Sequence, residues 1–217
     1  MRGINGICGR LAVKNKKIIG LTGVYCAGKN HVALLLEKRG FPVLDLDKLG
    51  HEVIETEKER LLSRFGNDIL GENGLINRKR LGARVFGSLT ELAALEEIIH
   101  PRVNRATLSW IDGRKEGICF INAALLHRSS AFEILDAVII VEAPFLHRLI
   151  RAKKRDRLPF SALIRRFQSQ HDFNSQYFRK KTDIYRVGNP SGCIISRQNK
   201  LESHINEILS LLGIKQV

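Results

Sequence analysis

The chain has 217 residues, 44% hydrophobic and 27% charged, with a net charge of +14. Those values are ordinary for a globular protein of one domain, or of one core with an insertion. No apolar run reaches the length of a membrane span, and Cys8, Cys26, Cys119 and Cys193 form no C-x-x-C pair, so neither a zinc site nor a disulfide framework is expected and a reducing cytoplasm is the default setting.

Residues 1–17 hold Arg2, Arg10, Lys14, Lys16 and Lys17 and no acid. Lacking a long apolar stretch, they read as a basic, disordered extension rather than a secretory signal. The first strand follows at Ile18–Leu21. Residues 23–29 then form a glycine-bracketed turn, with Gly23 and Gly28 at the spacing of the phosphate-binding loop G-x-x-x-x-G-K-[ST] and Lys29 in the lysine position. Such a loop wraps backbone N–H groups around a phosphate at the positive end of the next helix. His31–Arg39 supplies that helix, with Val32, Leu35 and Leu36 on one face and Gly40 as its stop. Asn30 departs from the pattern, since a hydroxyl there would ligate Mg²⁺; its amide oxygen is a weaker candidate ligand.

Phe41–Leu46 reads as a second strand, ending in Asp45 and Asp47, where open α/β sheets present ligand-binding groups. Lys48 to Arg64 is predicted helical, Gly66, Gly71 and Gly74 punctuate a turn, and helices return at Arg78–Phe86 and Glu91–Ile99. Residues 48–110 therefore read as a helical insertion. Gly117–Asn122 and Ala137–Glu142 are buried strands of the parallel type. A basic helix runs from Pro144 to Arg155, a helix spans Ser161–Gln170, a short strand is predicted at Ile194–Ile195, and Lys200–Leu212 closes the chain. The alternation predicts a three-layer α/β fold with a parallel sheet of the P-loop kinase type. Its core is residues 18–47 with 111–217.

Residues 148–186 carry twelve Lys/Arg against Asp156, Asp172 and Asp183, while the chain outside this stretch and the first 17 residues is balanced. A basic excess suits nucleic acid, but few aromatics lie between these charges to stack on bases. A mobile arginine-rich lid over phosphates, at about 146–180, accounts for it better. Its like charge predicts poor order without ligand.

Several stretches, taken in order, resemble the dephospho-CoA kinase family. Gly20-Leu-Thr-Gly23 with Gly28-Lys29 is similar to its opening G-L-T-G-G-I-G-S-G-K-[ST], and Val43-Leu-Asp45-Leu-Asp47 to its strand ending D-A-D. Phe65-Gly66, Gly74 to Arg78, Leu81, Val85-Phe86, His100-Pro101, Arg155-Asp156, Gln170 and Val187-Gly188-Asn189 match later landmarks, so the resemblance covers about residues 17–212. It implies transfer of the ATP γ-phosphoryl to the ribose 3′-hydroxyl of dephospho-CoA, with Mg²⁺, and neither a nucleic-acid nor a membrane partner.

The resemblance implies that the loop Gly23, Val24, Tyr25, Cys26, Ala27, Gly28, with Lys29 and Asn30, holds the ATP phosphates, and that Asn189 lies near adenine. Asp47 is the implied general base, with Asp45 as the other choice and helix capping as the structural reading of either acid. Arg155 would meet the transferring phosphoryl, and Asn77, Arg78 and His100 would hold the CoA substrate. His100-Pro101 reads equally as a junction of two helices, and Asn189-Pro190 as a turn. Arg148, Arg151, Lys153 and Lys154 repeat at helical spacing, which reads mostly as solvated face. Val24 and Tyr25 replace the family's second glycine and the apolar residue after it, a Cβ at 24 conflicting with any φ > 0 there. The family's D-x-P-L-L-F-E appears as Asn122 to Arg128, without its carboxylates. A kinase that has lost turnover, and a basic nucleic-acid-binding protein on this scaffold, are the competing readings.

Overall fold

A computed structural model of the chain describes residues 16–114, 117–168, 177, 182–190 and 194–214. Two compact units emerge, Met1–Leu44 with Glu116–Val217, and Asp45–Lys115.

The first unit is built on strands β1 (Lys16–Gly23), β2 (Val43–Asp45), β3 (Gly117–Asn122), β4 (Ala137–Glu142) and β5 (Asp183–Gly188), in the sheet order β2-β3-β1-β4-β5. β1 pairs in parallel with β3 and β4, and β4 with β5. β1 and β4 are apolar and buried on both faces because they lie inside the sheet, as expected of a covered parallel sheet. Helix α1 (Lys29–Lys38) buries Val32, Leu35 and Leu36 against β1 residues Ile19 and Leu21. The closing helix runs over Ile194–Leu211 and adds Leu201, Ile205 and Leu209 to the same core. The strand predicted at Ile194–Ile195 is therefore helical, and the last strand lies earlier, at β5. Between β4 and β5, α6 (Phe145–Asp156) and α7 (Phe160–Gln168) carry most of the described part of the basic segment.

The second unit is helical: α2 (Leu46–Thr56), α3 (Lys58–Phe65), α4 (Arg78–Val85) and α5 (Leu89–Asp112). Leu61, Phe65, Ile69, Ile76, Leu81, Val85 and Ile98 make its core. The single helix predicted over Lys48–Arg64 is two, divided at Glu57. Glu57 is 4% exposed and holds Arg102 Nε at 2.6 Å and Arg60 Nη1 at 2.9 Å, so the break buries a charge that ties α3 to α5. α5 starts earlier than predicted because Ser88 Oγ accepts from Glu91 N at 3.3 Å, half of an S-x-x-E capping box legible in the sequence. It also continues through Pro101, so His100-Pro101 lies inside one helix and is not a junction. Pro101 has no N–H to give the Glu97 carbonyl, a cost the neighbouring packing of α5 offsets.

Candidate functional site: a phosphate loop and a docked arginine pair

β1 delivers the chain into the turn Val24–Ala27, closed by Ala27 N donating to Val24 O at 2.9 Å. Gly28 caps α1 at φ 101°, and its carbonyl accepts from His31 N at 2.9 Å and Val32 N at 3.2 Å. Lys29 is thus the first residue of α1, at the helix's positive end. A Cβ at residue 28 would stand 2.3 Å from Asn189 Nδ2, and one at residue 23 would stand 2.7 Å from Val141 O. Both bracket glycines are therefore required by close approach, and Gly28 by backbone conformation as well.

The strain in the loop is not where the sequence placed it. Val24 is not among the described positive-φ residues; Cys26 is, at φ 59°. The quoted family motif carries glycine at this third position too, so Cys26 is the substitution that costs backbone energy, about 1–2 kcal/mol for an L-residue in the left-handed region. Burial pushes the Cys26 thiol up, and the facing Arg155, Arg151 and Arg148 pull it back only in part, which keeps it a protonated filler at neutral pH. Cys26 and Cys119 are free thiols, while Cys8 and Cys193 lie outside the described residues.

Two side chains hold the loop's carbonyls. Asn189, 5% exposed, donates Nδ2 to Ala27 O at 2.7 Å, and its backbone N donates to Glu142 O at 2.7 Å. One of its amide N–H groups thus shapes the loop. Arg151 Nη1 donates to Ala27 O at 3.0 Å and to Cys26 O at 3.4 Å. The sequence reading took Arg151 for solvated face; its signal was the four-residue spacing to Arg155, which puts both on one side of α6. Arg148, on the same side, lies over the Phe145 and Phe167 rings at 5.8 and 5.2 Å.

Arg155 reaches the loop. Its guanidinium lies 5.1 Å from the Tyr25 ring centroid, and its Nε and Nη2 grip Asp156 at 2.7 and 3.2 Å. Arg166 of α7 binds the same carboxylate at 3.0 Å, and the Tyr25 hydroxyl donates to it as well. With these partners Asp156 is held down at about 2, first by the Arg155 hydrogen bond. Residues 146–168 of the predicted lid lie against the loop, with one carboxylate offsetting part of their like charge. Gln170, the rest of that lid except Tyr177, and residues 1–15 lie outside the described residues.

Opposite the arginines, Asn122, 1% exposed at the end of β3, donates Nδ2 to Asn30 Oδ1 at 3.4 Å. The positions where the family has a hydroxyl and a carboxylate thus face each other as two amides. Among the described residues no group of three or more His, Cys, Asp or Glu could hold a metal. Mg²⁺ accepts neutral amide oxygens, so Asn30 Oδ1, which here accepts from Asn122, would be a compatible single protein ligand for an ion held mainly by phosphates and water. Behind the loop, Thr22 Oγ1 lies 3.3 Å from the hydroxyl of the fully buried Tyr177, which sits 3.2 Å from His127 Nδ1. Within the altered segment 122–128, Asn122, Ala123 and Leu126 are buried and His127 meets Tyr177, while Leu125 and Arg128 are exposed.

The helical unit holds the other predicted residues. Asp45 Oδ1 accepts from Asp47 N at 3.0 Å and Lys48 N at 3.1 Å, the N-cap of α2. Capping is the part Asp45 plays, and Asp47 stands exposed in the first turn. Asn77 does the same for α4, accepting from Lys79 N and Arg80 N, each at 3.1 Å, with Arg78 exposed on the first helical turn. His100 is exposed on α5.

A sequence model of the dephospho-CoA kinase family matches residues 17–186. A dephospho-CoA kinase of Treponema denticola is 33% identical over 183 residues, covering 79% of this chain and 82% of its own length. One from Shouchella clausii is 36% identical, covering 70% of this chain and 80% of its own. Among solved structures, TT1252 from Thermus thermophilus aligns with TM-score 0.76 at 28% identity, over 91% of this chain and 98% of that one. The dephospho-CoA kinase of Campylobacter jejuni aligns with TM-score 0.57 at 26% identity, over 89% and 97%.

Proposed function

The chain belongs to the dephospho-CoA kinase family, kinases of the last step of coenzyme A biosynthesis, and we propose that Lys29, Asp47 and Arg155 carry its phosphoryl transfer from ATP to the ribose 3′-hydroxyl of dephospho-CoA. The observation that carries this reading is the loop itself: a strand-to-helix turn held open by Gly23 and Gly28, with Lys29 opening α1 and arginines already docked on it.

Phosphoryl transfer asks of a protein mainly position and charge. The loop amides and Lys29 cradle the ATP phosphates. Mg²⁺, when bound with ATP, neutralises phosphate charge, and Asn30 Oδ1 is the proposed protein ligand. Asp47, which stands in the motif position of the family's base, takes the proton from the 3′-hydroxyl, while Asp45 caps α2 through Oδ1. Arg155 supplies positive charge to the transferring group, where it is worth most. Asn189 and Arg151 keep the loop in its phosphate-binding shape. Arg78 and His100 are proposed to meet the CoA substrate, Asn77 contributing by starting the helix that carries Arg78. The free thiols suit a reducing compartment, and the cytoplasm is the proposed one.

The test is a coupled assay with ATP, Mg²⁺ and dephospho-CoA on the wild type, Lys29→Ala and Asp47→Asn. Asp47→Asn is expected to lower kcat by about 10²–10⁴ while ATP still binds, and Lys29→Ala to lose activity together with ATP affinity. A folded wild type that binds ATP and forms no product would replace this reading with that of a kinase that has lost turnover. Binding to nucleic acid that collapses steeply with salt would favour the third reading.

A further inference from the structure

Tyr25 is a loop residue with contacts an apolar side chain could not make. Its hydroxyl donates to Asp156 Oδ2. Its ring faces the guanidinium groups of Arg155 at 5.1 Å and Arg166 at 6.0 Å, and meets Phe167 edge-on at 5.1 Å and 73°. Phe167 in turn packs edge-on against Phe145 at 5.0 Å, so the contact runs from the phosphate loop through α7 to α6. Arg166 Nη1 lies 3.0 Å from Asp156 Oδ2 and 3.4 Å from the Tyr25 hydroxyl.

Two guanidinium groups share one carboxylate here, which brings two like charges close together. The π-face of Tyr25 offsets part of that repulsion, and its hydroxyl fixes where the carboxylate sits. The apolar residue of the quoted family motif would offer packing alone. We propose that Tyr25 is a positioning residue, one that docks α6 and α7 on the phosphate loop through Asp156 and so holds Arg155 and Arg166 over the loop before ATP arrives. The guanidinium groups then need no search when substrate binds, and the ordering cost falls on folding rather than on the transition state. The catalytic part of this inference rests on the kinase reading above; the docking part does not.

The experiment compares wild type with Tyr25→Phe, which keeps the ring and removes the hydroxyl, and Tyr25→Ile, which restores the family's residue. Hydrogen exchange of the α7 amides, residues 160–168, is measured without ligand, with the β4 amides as internal reference for global stability. Steady-state kinetics with ATP, Mg²⁺ and dephospho-CoA follow. Exchange in α7 is expected to rise about tenfold in Tyr25→Ile and severalfold in Tyr25→Phe, with β4 unchanged. The kcat of Tyr25→Ile should fall about tenfold with KM for dephospho-CoA within about twofold, as for lost transition-state positioning. Adding Tyr25→Phe to Asp156→Asn should bring no further rise in α7 exchange over Asp156→Asn alone, because the hydroxyl acts through that carboxylate. Unchanged α7 exchange in both variants overturns the proposal, as does raised exchange with kcat intact in an active enzyme. Wild type that makes no CoA removes the kinase reading alone, and the exchange result then decides whether Tyr25 docks the two helices.

Discussion

Gly28→Ala tests the shape of the phosphate loop most directly. The added Cβ would stand 2.3 Å from Asn189 Nδ2, and φ at this position is 101°. Ordinary contact begins near 3.4 Å, so the Asn189 amide must retreat by about 1 Å and give up its 2.7 Å bond to Ala27 O. A lost buried hydrogen bond costs about 1–3 kcal/mol, and the backbone strain about 1–2 kcal/mol. Restricting the unfolded chain returns about 0.4–1 kcal/mol. The net is a loss of about 1–4.6 kcal/mol, or about 2–18 °C in Tm for a chain of this size. Arg151 Nη1 remains 3.0 Å from Ala27 O, which keeps the figure from rising further. In an Asn189→Ala background the clash is gone, and Gly28→Ala should cost only the strain less the entropy gain, about 0–1.5 kcal/mol. Thermal melts of the four proteins in this cycle therefore yield a coupling of about 1–3 kcal/mol. Additive effects, with a coupling below about 0.5 kcal/mol, would refute the claim that Gly28 is required by the close approach of Asn189.

Cys26 makes a matching case within the same loop. Cys26→Gly should be neutral to about 1 kcal/mol stabilising, because it relieves the φ 59° strain at the price of unfolded-chain entropy, whereas Cys26→Val should destabilise by about 1–2 kcal/mol; melting curves compare the two. Asp156 supplies a pH signature. Its folded pKa, about 2, lies below the ordinary 3.8, so its contribution to stability is present above about pH 4 and is lost as pH falls toward 2. Asp156→Asn should lower Tm at pH 6 and flatten the acid limb between those values, and an unchanged acid limb would show that the carboxylate carries no such load.

Local pattern alone carried the chain to a nucleotide-binding α/β fold. Ile18–Leu21 with the Gly23–Lys29 spacing marks a strand, a loop and a helix start, since those features depend on near neighbours and on two glycines without a Cβ. The helical character of residues 46–112 was legible for the same reason, though its divisions were not. Glu57 breaks a helix because distant Arg102 takes its charge, and α5 passes Pro101 because its packing overrides a local breaker.

Assigning each polar side chain its work needed the tertiary structure. Asp45 and Asp47 look alike in sequence; only the hydrogen bonds from Asp47 N and Lys48 N separate the cap from the exposed acid. Arg151 belongs to a charge repeat that reads as solvated surface until α6 is laid against the carbonyls of Cys26 and Ala27. Tyr25 and Asp156 are 131 positions apart, and no periodicity relates them. The spacing of residues along a chain encodes backbone conformation, which is local. For pairs distant in sequence, which donor meets which acceptor is set by the sheet order, and so by contacts that exist only once β1, β4 and β5 lie side by side.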